Sequence, residues 1–422
     1  MKTKAIRLGF ACALTALLML VPCVVRAQEE TVEQNAVPQQ TQAPSQGQRA
    51  EMESSLAPME TGTPFDITSP SAILTEASTG RVIFEKNADE RRPVASVTKV
   101  MTILLTLEAL DEGKITEEDE VTVSEHAASM GGSQAFLDAN ASYTVRELLK
   151  SMIVASANDS AVALAEYLEG SEEGFVRRMN ERAQELGLAN THYVNCTGLP
   201  AQGHYTTARD VAALSAQLDR HPLYYTFSTI WMDEIAHSGG RVTQLTNTNR
   251  LIRFYPGSDG YKTGSTNEAR YCISATAKKD GMRLIAVVLG SQASQTRFDE
   301  ARAMLEYGFA GYQLFRPVEE GIDMQMTVPV RMGGRNSVSV KSGGTCEWLL
   351  KRGDQAGISL EVALVEGVDA PVYEGDPLGE IRVMLGDTLI ATVPAVAGES
   401  VELPGMLDAL LRIRSHFMLG GK

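Results

Sequence analysis

The hydrophobic pattern of this chain changes its period near residue 315. Before that point, apolar residues recur at helical spacing in several stretches, and short apolar runs typical of strands stand at either end. After it, apolar and polar residues alternate, with Gly and Asp turns between the runs. The sequence therefore predicts an α+β domain at 66–316, followed by a small β-rich domain at 317–403.

The first domain begins and ends with strand-like runs. A hairpin is predicted around residues 72–74 and 82–84, and further strands at 269–277 and 284–289. Between and after them the spacing predicts helices at 97–107, 145–153, 157–168, 173–186, 208–218 and 297–307. Because strands stand at both ends with helices between them, we expect the first and last strands to share one sheet.

The N-terminal 27 residues are typical of a secretory signal. Lys2, Lys4 and Arg7 precede an apolar run that extends to about Val25, and Ala27 provides a small residue for cleavage. An uncleaved anchor is the alternative, and lipid attachment at Cys23 is a weaker one. Residues 28–65 are rich in Gln, Glu, Pro, Ser and Thr, which predicts a disordered stalk. We therefore expect an exported protein on the outer face of the cell membrane or in the cell wall.

The C-terminal segment, 404–422, gathers its apolar residues on one broad helical face, which Arg414 interrupts. Two interpretations remain open: a helix packed on its own domain, or an amphipathic helix lying in a membrane surface.

Charge and cysteine content narrow the possible partners and cofactors. The formal net charge is −15, and such an acidic surface repels phosphate, so nucleic acid is not expected as a partner. Removal of the signal leaves Cys196, Cys272 and Cys346, which we expect to be buried free thiols. The histidines show no metal-binding spacing such as H-E-x-x-H, so no metal or other cofactor is predicted and each His is expected at the surface or at a cap.

Ser96 and Lys99 form the first candidate catalytic pair. They stand at the predicted start of a helix, and a separation of three residues places the hydroxyl and the amine on one face. A serine becomes nucleophilic when a neighbouring base takes its proton, and a lysine can be that base if burial or a nearby cation lowers its pKa. The alternative is a serine that caps the helix beside a solvated lysine.

Two further fragments offer complementary chemistry. Ser156 and Asn158, at the start of another predicted helix, offer a hydroxyl to relay a proton and an amide to hold a carbonyl; the alternative is a helix cap. Lys262, Thr263 and Gly264 precede a predicted strand and would present a cation and a hydroxyl at a sheet edge, with a glycine that permits close approach of a substrate backbone. The alternative there is an ordinary turn.

The order S-x-x-K, S-x-N, K-T-G resembles that of penicillin-binding proteins and serine β-lactamases. More narrowly, the chain from about residue 71 to 401 is similar to the low-molecular-mass penicillin-binding proteins, the D-alanyl-D-alanine carboxypeptidases of serine peptidase family S11. The similarity includes the segments NCTGLPAQGHYTTARD and TNTNRLIRFYPGSDGYKTG. It implies a DD-peptidase fold, a β-rich C-terminal domain and, in some members, an amphipathic membrane anchor.

This resemblance implies a role for each site residue. Ser96 would be acylated by the penultimate D-Ala with Lys99 as its base, and Ser156 would pass a proton to the departing D-Ala. Asn158 would hold the peptide. Lys262 and Thr263 would bind the terminal carboxylate, and Gly264 would let the substrate backbone approach closely. The backbone amides of Ser96 and Ser265 would form an oxyanion hole. Arg297 would help to bind the carboxylate; the alternative is a surface charge at a helix start.

The resemblance also implies the partners, which are peptidoglycan stem peptides ending in D-Ala-D-Ala and β-lactam antibiotics. A serine β-lactamase is the nearest rival function, but the E-x-x-L-N segment of class A enzymes does not occur between Asn158 and Lys262. A DD-endopeptidase and an inactive cell-wall binding protein are two more possibilities, and the presence of both Ser96 and Lys99 weighs against the inactive protein.

Overall fold

The computed structural model describes residues 65–405, together with the backbone of residues 4–9 and 26–28. The predicted stalk and C-terminal amphipathic helix therefore lie almost entirely outside the described residues. The chain divides into two compact units between Tyr312 and Gln313, close to the predicted boundary at 316/317, and each unit is described by itself.

The first unit combines helices with one main sheet. Its described α-helices are α1 Lys99–Asp111, α2 Glu125–Ala128, α3 Val145–Val154, α4 Asn158–Glu169, α5 Glu172–Glu185, α6 Ala208–Gln217, α7 Pro222–Ser228, α8 Leu251–Phe254 and α9 Ser294–Gly311. Short 3-10 helices occur at Ala95–Thr98, Leu218–Arg220 and Ser238–Gly240.

The strands begin with two short segments near the N-terminus. These are β1 Lys4–Gly9 and β2 Arg26–Gln28, which group with the second unit. The strands of the first unit are β3 Ser71–Glu76, β4 Val82–Lys86, β5 Glu120–Thr122, β6 Ser142–Thr144, β7 Met232–Ala236, β8 Val242–Thr246, β9 Ser258–Thr266, β10 Arg270–Lys279 and β11 Met282–Ser291.

The main sheet has the order β4-β3-β11-β10-β9, and its described strand pairs are antiparallel. The pairing of β3 with β11 confirms that the first and last strands of the domain share one sheet. Every residue of β11 is buried, as expected for a strand covered on both faces. Ile285 and Val287 join the main helical core, whereas Leu284 on the other face approaches Gly308 of α9.

Helix α1 lies at the centre of the helical core. Its residues are buried on nearly all sides rather than along a single stripe, which is typical of a central helix. A helix held in this way cannot shift without disturbing the whole core, so the residues at its N-terminal end are rigidly placed.

The second unit is built of strands, as the alternating pattern predicts. It contains β12 Tyr312–Val318, β13 Asp323–Arg331, β14 Ser337–Ser342, β15 Cys346–Lys351, β16 Ile358–Leu364, β17 Val368–Asp369, β18 Pro377–Leu385 and β19 Thr388–Ala397, with a 3-10 helix at Asp354–Gly357. The described sheet order is β17-β13-β14-β19-β18-β16-β1-β2. Strand β1 lies in the predicted signal region and β2 extends one residue beyond it. Cleavage of that signal stays a prediction.

The structure differs from the sequence-based expectations in several places. The K-T-G residues lie inside strand β9 rather than before a strand, although β9 is the sheet edge that the motif predicts. Helix α9 begins at Ser294 rather than at residue 297. The short elements that were not predicted are α2, α7, α8, β5, β6, β7 and β8. Of the helices that the structure describes, none is both long and apolar enough to cross a membrane.

Candidate active site

Ser96 lies in the 3-10 turn that leads into α1. The residue at the cap of that turn is Val94, which makes no side-chain capping bond, so Ser96 is not a helix cap. Ala95, immediately before it, has a φ of +50°, a conformation that costs energy for a residue with a side chain. The turn presents a half-buried hydroxyl that remains accessible. Strained backbone of this kind is common at functional sites.

Lys99 is completely buried directly beneath that hydroxyl. Its Nζ lies 3.1 Å from Ser96 Oγ, 2.5 Å from Asn158 Oδ1 and 2.8 Å from the carbonyl oxygen of Thr197. Burial lowers the pKa of Lys99 to about 7, because the charged form loses its hydration; nearby Cys196 and Asp159 act in the opposite direction. Near neutral pH, a large fraction of this amine is therefore uncharged, and the solvated-lysine alternative is wrong.

The three contacts fix the direction in which the neutral amine points. The carbonyl oxygens of Asn158 and Thr197 can only accept hydrogen bonds, so they take the two hydrogens of a neutral amine. The orientation of the Asn158 amide is set independently, because its Nδ2 donates to the carbonyl oxygen of Gly131 at 2.6 Å. The lone pair of Lys99 is left facing the Ser96 hydroxyl, as a general base requires.

Ser156 occupies a second strained position, with a φ of +64°. The cap of α4 is Ala157, so the helix-cap alternative for Ser156 is wrong. Its Oγ accepts a hydrogen bond from Lys262 Nζ at 2.8 Å, and Lys262 also donates to its neighbour's carbonyl, that of Thr263, at 3.0 Å. Since the oxygen of Ser156 is the acceptor, its own proton remains free for another group.

Lys262 is buried and lies among other cations. Burial holds its pKa well below the usual range, and the positive charges of Lys99 and Arg297 lower that pKa further. A buried, charge-repelled ammonium is stabilised by any anion that enters beside it. The region is therefore suited to a ligand carboxylate.

Gly264 allows edge strand β9 to lie against the turn that carries Ser96. A Cβ added to Gly264 would stand 2.5 Å from the carbonyl oxygen of Val94 and 2.8 Å from the backbone nitrogen of Ser96. The strand could not approach so closely with any side chain at this position. The next residue, Ser265, is exposed and pairs across the sheet with Tyr271. Ser265 thus follows directly on the residue that packs against the backbone of Ser96.

Thr263 brings in a residue that sequence reasoning missed. Its Oγ1 donates to Thr248 Oγ1 at 2.7 Å, so the hydroxyl proton of Thr248 is free to point elsewhere. Thr248 belongs to the segment TNTNRL, which carried family resemblance but no role in the sequence-based assignment.

Arg297 lies in the first turn of α9 but is only 7% exposed, so the surface-charge alternative is wrong. Its Nη1 donates to the carbonyl oxygens of Gly264 at 2.9 Å and Cys272 at 3.0 Å, two residues that face each other across β9 and β10. Burial lowers the pKa of Arg297 to about 10. The guanidinium thus clamps the strand that carries the K-T-G motif.

The expectation that each histidine lies at the surface or at a cap is wrong for His204, which is buried and caps no described helix. His221 and His237 are also buried, but they stand at the N-caps of α7 and of the 3-10 helix Ser238–Gly240. His204 Nδ1 accepts from the backbone nitrogen of Val194, and its Nε2 lies 2.8 Å from Thr98 Oγ1. Burial lowers the pKa of His204 to about 4, so the ring is neutral and braces the turn of Ser96 from below. A lone histidine in sequence carries no signal for such a role.

The three described cysteines are buried free thiols, as expected. Within residues 65–405, no group of three His, Cys, Asp or Glu side chains comes close enough to hold a metal ion.

Comparison with known proteins identifies two matching family models. A D-alanyl-D-alanine carboxypeptidase family, peptidase S11, matches residues 57–293, and the C-terminal domain of penicillin-binding protein 5 matches residues 312–403. The chain is 41% identical to the D-alanyl-D-alanine carboxypeptidase DacF of Bacillus subtilis over 81% of this chain and 88% of the relative. It is 34% identical to DacC of Escherichia coli, over 79% and 84%.

Solved structures agree with these matches. Penicillin-binding protein 5 from Haemophilus influenzae aligns with a TM-score of 0.69 and 31% identity, covering 81% of this chain and all of that one. The D-alanyl-D-alanine carboxypeptidase DacD from Francisella tularensis aligns with a TM-score of 0.64 and 28% identity, over 83% and 98%.

Proposed function

The chain belongs to the D-alanyl-D-alanine carboxypeptidase family of serine peptidases, and from that membership we propose how its own residues perform the reaction. It is a serine-type D-Ala-D-Ala carboxypeptidase that acts through an acyl-enzyme, takes peptidoglycan stem peptides as substrate and binds β-lactams. The assignments of individual residues below are the proposal.

Ser96 is the nucleophile and Lys99 is its base. The neutral amine of Lys99 takes the hydroxyl proton as Ser96 Oγ forms a bond to the carbonyl carbon of the penultimate D-Ala. The carbonyl oxygen becomes an oxyanion held by the backbone amides of Ser96 and Ser265, which the close approach of Gly264 to Ser96 supports. Asn158 still has a second Nδ2 hydrogen, which it donates to the peptide.

Ser156 and Lys262 protonate the leaving amine. As the C–N bond breaks, Ser156 gives its free proton to the departing amine and is reprotonated from Lys262, which already donates to its oxygen. The terminal carboxylate lies against Lys262, where its charge favours the protonated lysine, and it accepts the free hydroxyl proton of Thr248. When the carboxylate is bound, the proton of Thr263 turns to it from Thr248. Water then attacks the ester carbonyl and its proton restores Lys262 through Ser156. Lys99 returns its proton to Ser96 Oγ as the C–O bond breaks, and the shortened peptide is released.

The observation that carries this proposal is the buried amine of Lys99, whose lone pair has only the Ser96 hydroxyl to face. The direct test is incubation of the mature protein with a pentapeptide ending in D-Ala-D-Ala, followed by mass spectrometry for released D-Ala. Release of one D-Ala per peptide supports the proposal, and an unchanged pentapeptide contradicts it.

Lys262→Ala is expected to discriminate between two acylating substrates. Because the lost interaction is with a charge, kcat/KM should fall about 10- to 100-fold more for a peptide with a free C-terminal carboxylate than for an uncharged ester that acylates Ser96. Steady-state kinetics on the two substrates measures this difference. Equal losses for both would place Lys262 outside the carboxylate site.

We also propose that the site works outside the cytoplasmic membrane, as its peptidoglycan substrate requires. In this proposal residues 1–27 are a signal peptide, 28–65 a stalk, 66–316 the catalytic domain and 317–403 the β-rich domain. Residues 404–422 form an amphipathic helix that lies on the membrane surface, where apolar burial adds to the attraction of Arg412, Arg414 and Lys422 to anionic lipid.

Deletion of residues 404–422 is expected to move the protein from the membrane fraction to the soluble fraction, because the apolar face and its cationic residues are removed together. Activity on a soluble peptide should not change, and cell fractionation with a peptidase assay measures both. If the full-length mature protein fails to sediment with anionic vesicles at low salt, the helix belongs to the β-rich domain instead.

A further inference from the structure

The turn at residues 131–137 lies directly against the S-x-N motif. The backbone nitrogen of Asn158 donates to the carbonyl oxygen of Ser133 at 2.8 Å, and Asn158 Nδ2 donates to that of Gly131 at 2.6 Å. A Cβ on Gly132 would stand 2.8 Å from Asn158 Nδ2. The turn therefore borders the site on the side of Asn158, whereas Lys262 and Thr263 border it from strand β9.

Asp159 holds the far end of this turn. Its carboxylate is fully buried, and it accepts hydrogen bonds from the backbone nitrogens of Ala135 at 3.0 Å and Leu137 at 3.1 Å. The carbonyl oxygen of Phe136, between them, accepts from Arg241 Nη2 at 2.7 Å. The backbone on both sides of Phe136 is thus fixed by charged groups.

The side chain of Phe136 is exposed to solvent. It has a φ of +60°, a conformation rare for a bulky residue, and it is 56% exposed although Ala135 and Leu137 beside it are buried. Nothing in the core requires an aromatic ring here. Charged groups therefore hold Phe136 in a strained conformation that exposes an apolar ring beside the site. Such an arrangement is typical of a residue that contacts a ligand.

We propose that Phe136 is a specificity-determining residue that packs against the side chain of the residue preceding D-Ala-D-Ala in the stem peptide. This inference rests on the proposed function, because it uses the same substrate orientation. The terminal carboxylate lies at Lys262 and Thr263, so the remainder of the peptide extends towards the Asn158 side, where the turn stands. The ring there favours a long aliphatic side chain over none.

The test compares two peptides that differ only in that residue, norleucine or glycine. We expect the parent to prefer norleucine, and Phe136→Ala to lose about 5- to 10-fold in kcat/KM on the norleucine peptide with less than about 2-fold change on the glycine peptide. Phe136→Tyr should retain the preference. Tyr373→Ala, at a comparably exposed aromatic of the second unit, is the matched control and should change neither value.

A further variant separates contact from backbone strain. Phe136→Asn tolerates positive φ but lacks the ring, so it should lose the preference as alanine does while melting no lower than the parent. Equal losses on both peptides, a slower acylation of Phe136→Ala by penicillin, or a parent without preference would each overturn the inference. If the parent releases D-Ala from neither peptide, the proposed function fails instead.

Discussion

Replacement of Ser96 by alanine is expected to abolish both acylation by penicillin and release of D-Ala. The hydroxyl that lies against the Lys99 amine is that of Ser96, so the loss should be on the order of 10⁴-fold or more in kcat. Stability should change by only about 1 kcal/mol, because the hydroxyl is hydrogen-bonded to Lys99 and does not cap a helix. Labelling with penicillin, a tryptic map and a thermal melt measure all three.

The parental adduct should be long-lived, because the chain lacks the acid with which class A β-lactamases activate a deacylating water. Ser142→Ala, at an exposed serine of β6, is the matched control and should label as the parent does. An adduct on another residue, or turnover of penicillin within seconds, would contradict the assignment.

Lys99→Ala is expected to stop acylation for a different reason: the nucleophile remains, but the base is gone. Because two carbonyl oxygens also lose their donor, this variant should be less stable than Ser96→Ala, by about 1–3 kcal/mol per unsatisfied group. Lys99→Met, which fills more of the same space, separates loss of the base from loss of packing. Neither variant should be labelled by penicillin. Labelling rates measure the loss of the base, and thermal melts measure the loss of stability.

The pH dependence of acylation of the parent protein tests the role of Lys99 independently. Only neutral Lys99 can accept a proton, so the acylation rate should fall as the pH drops below about 7, the pKa to which burial brings this amine. Lys114→Ala, at a lysine whose side chain is 71% exposed, should leave both rate and profile unchanged. Labelling of Lys99→Ala at the parental rate would show that Lys99 is not the base.

The three motifs could be read from the sequence because each keeps its chemistry within three or four consecutive residues. The helical and strand periods likewise placed the main sheet and the central helix. What the sequence could not provide was backbone conformation at Ala95 and Ser156, since neither is a glycine and neither residue type signals positive φ. The supporting contacts were equally hidden: Asp159 reaches a turn more than twenty residues away, and His204 reaches Thr98 across a hundred.

The burial of Arg297 could not be predicted from the sequence either. Its place at a helix start was close to correct, but its burial depends on strands β9 and β10, which its own neighbours do not encode. A charged residue near a helix end gives the same local pattern whether it is solvated or clamps a sheet, so only the tertiary structure distinguishes the two.

The pairing of β3 with β11 has a consequence for how the chain reaches its native state. The partners Ser71 and Leu289 are separated by more than two hundred residues, so the sheet cannot close until nearly the whole first unit has been synthesised. Contacts of such long range form slowly, so closure of this sheet is expected to be a late step in folding. Since Gly264 reaches the turn of Ser96 from edge strand β9 of this sheet and Arg297 holds Gly264 there, we expect capture of penicillin to require the closed sheet.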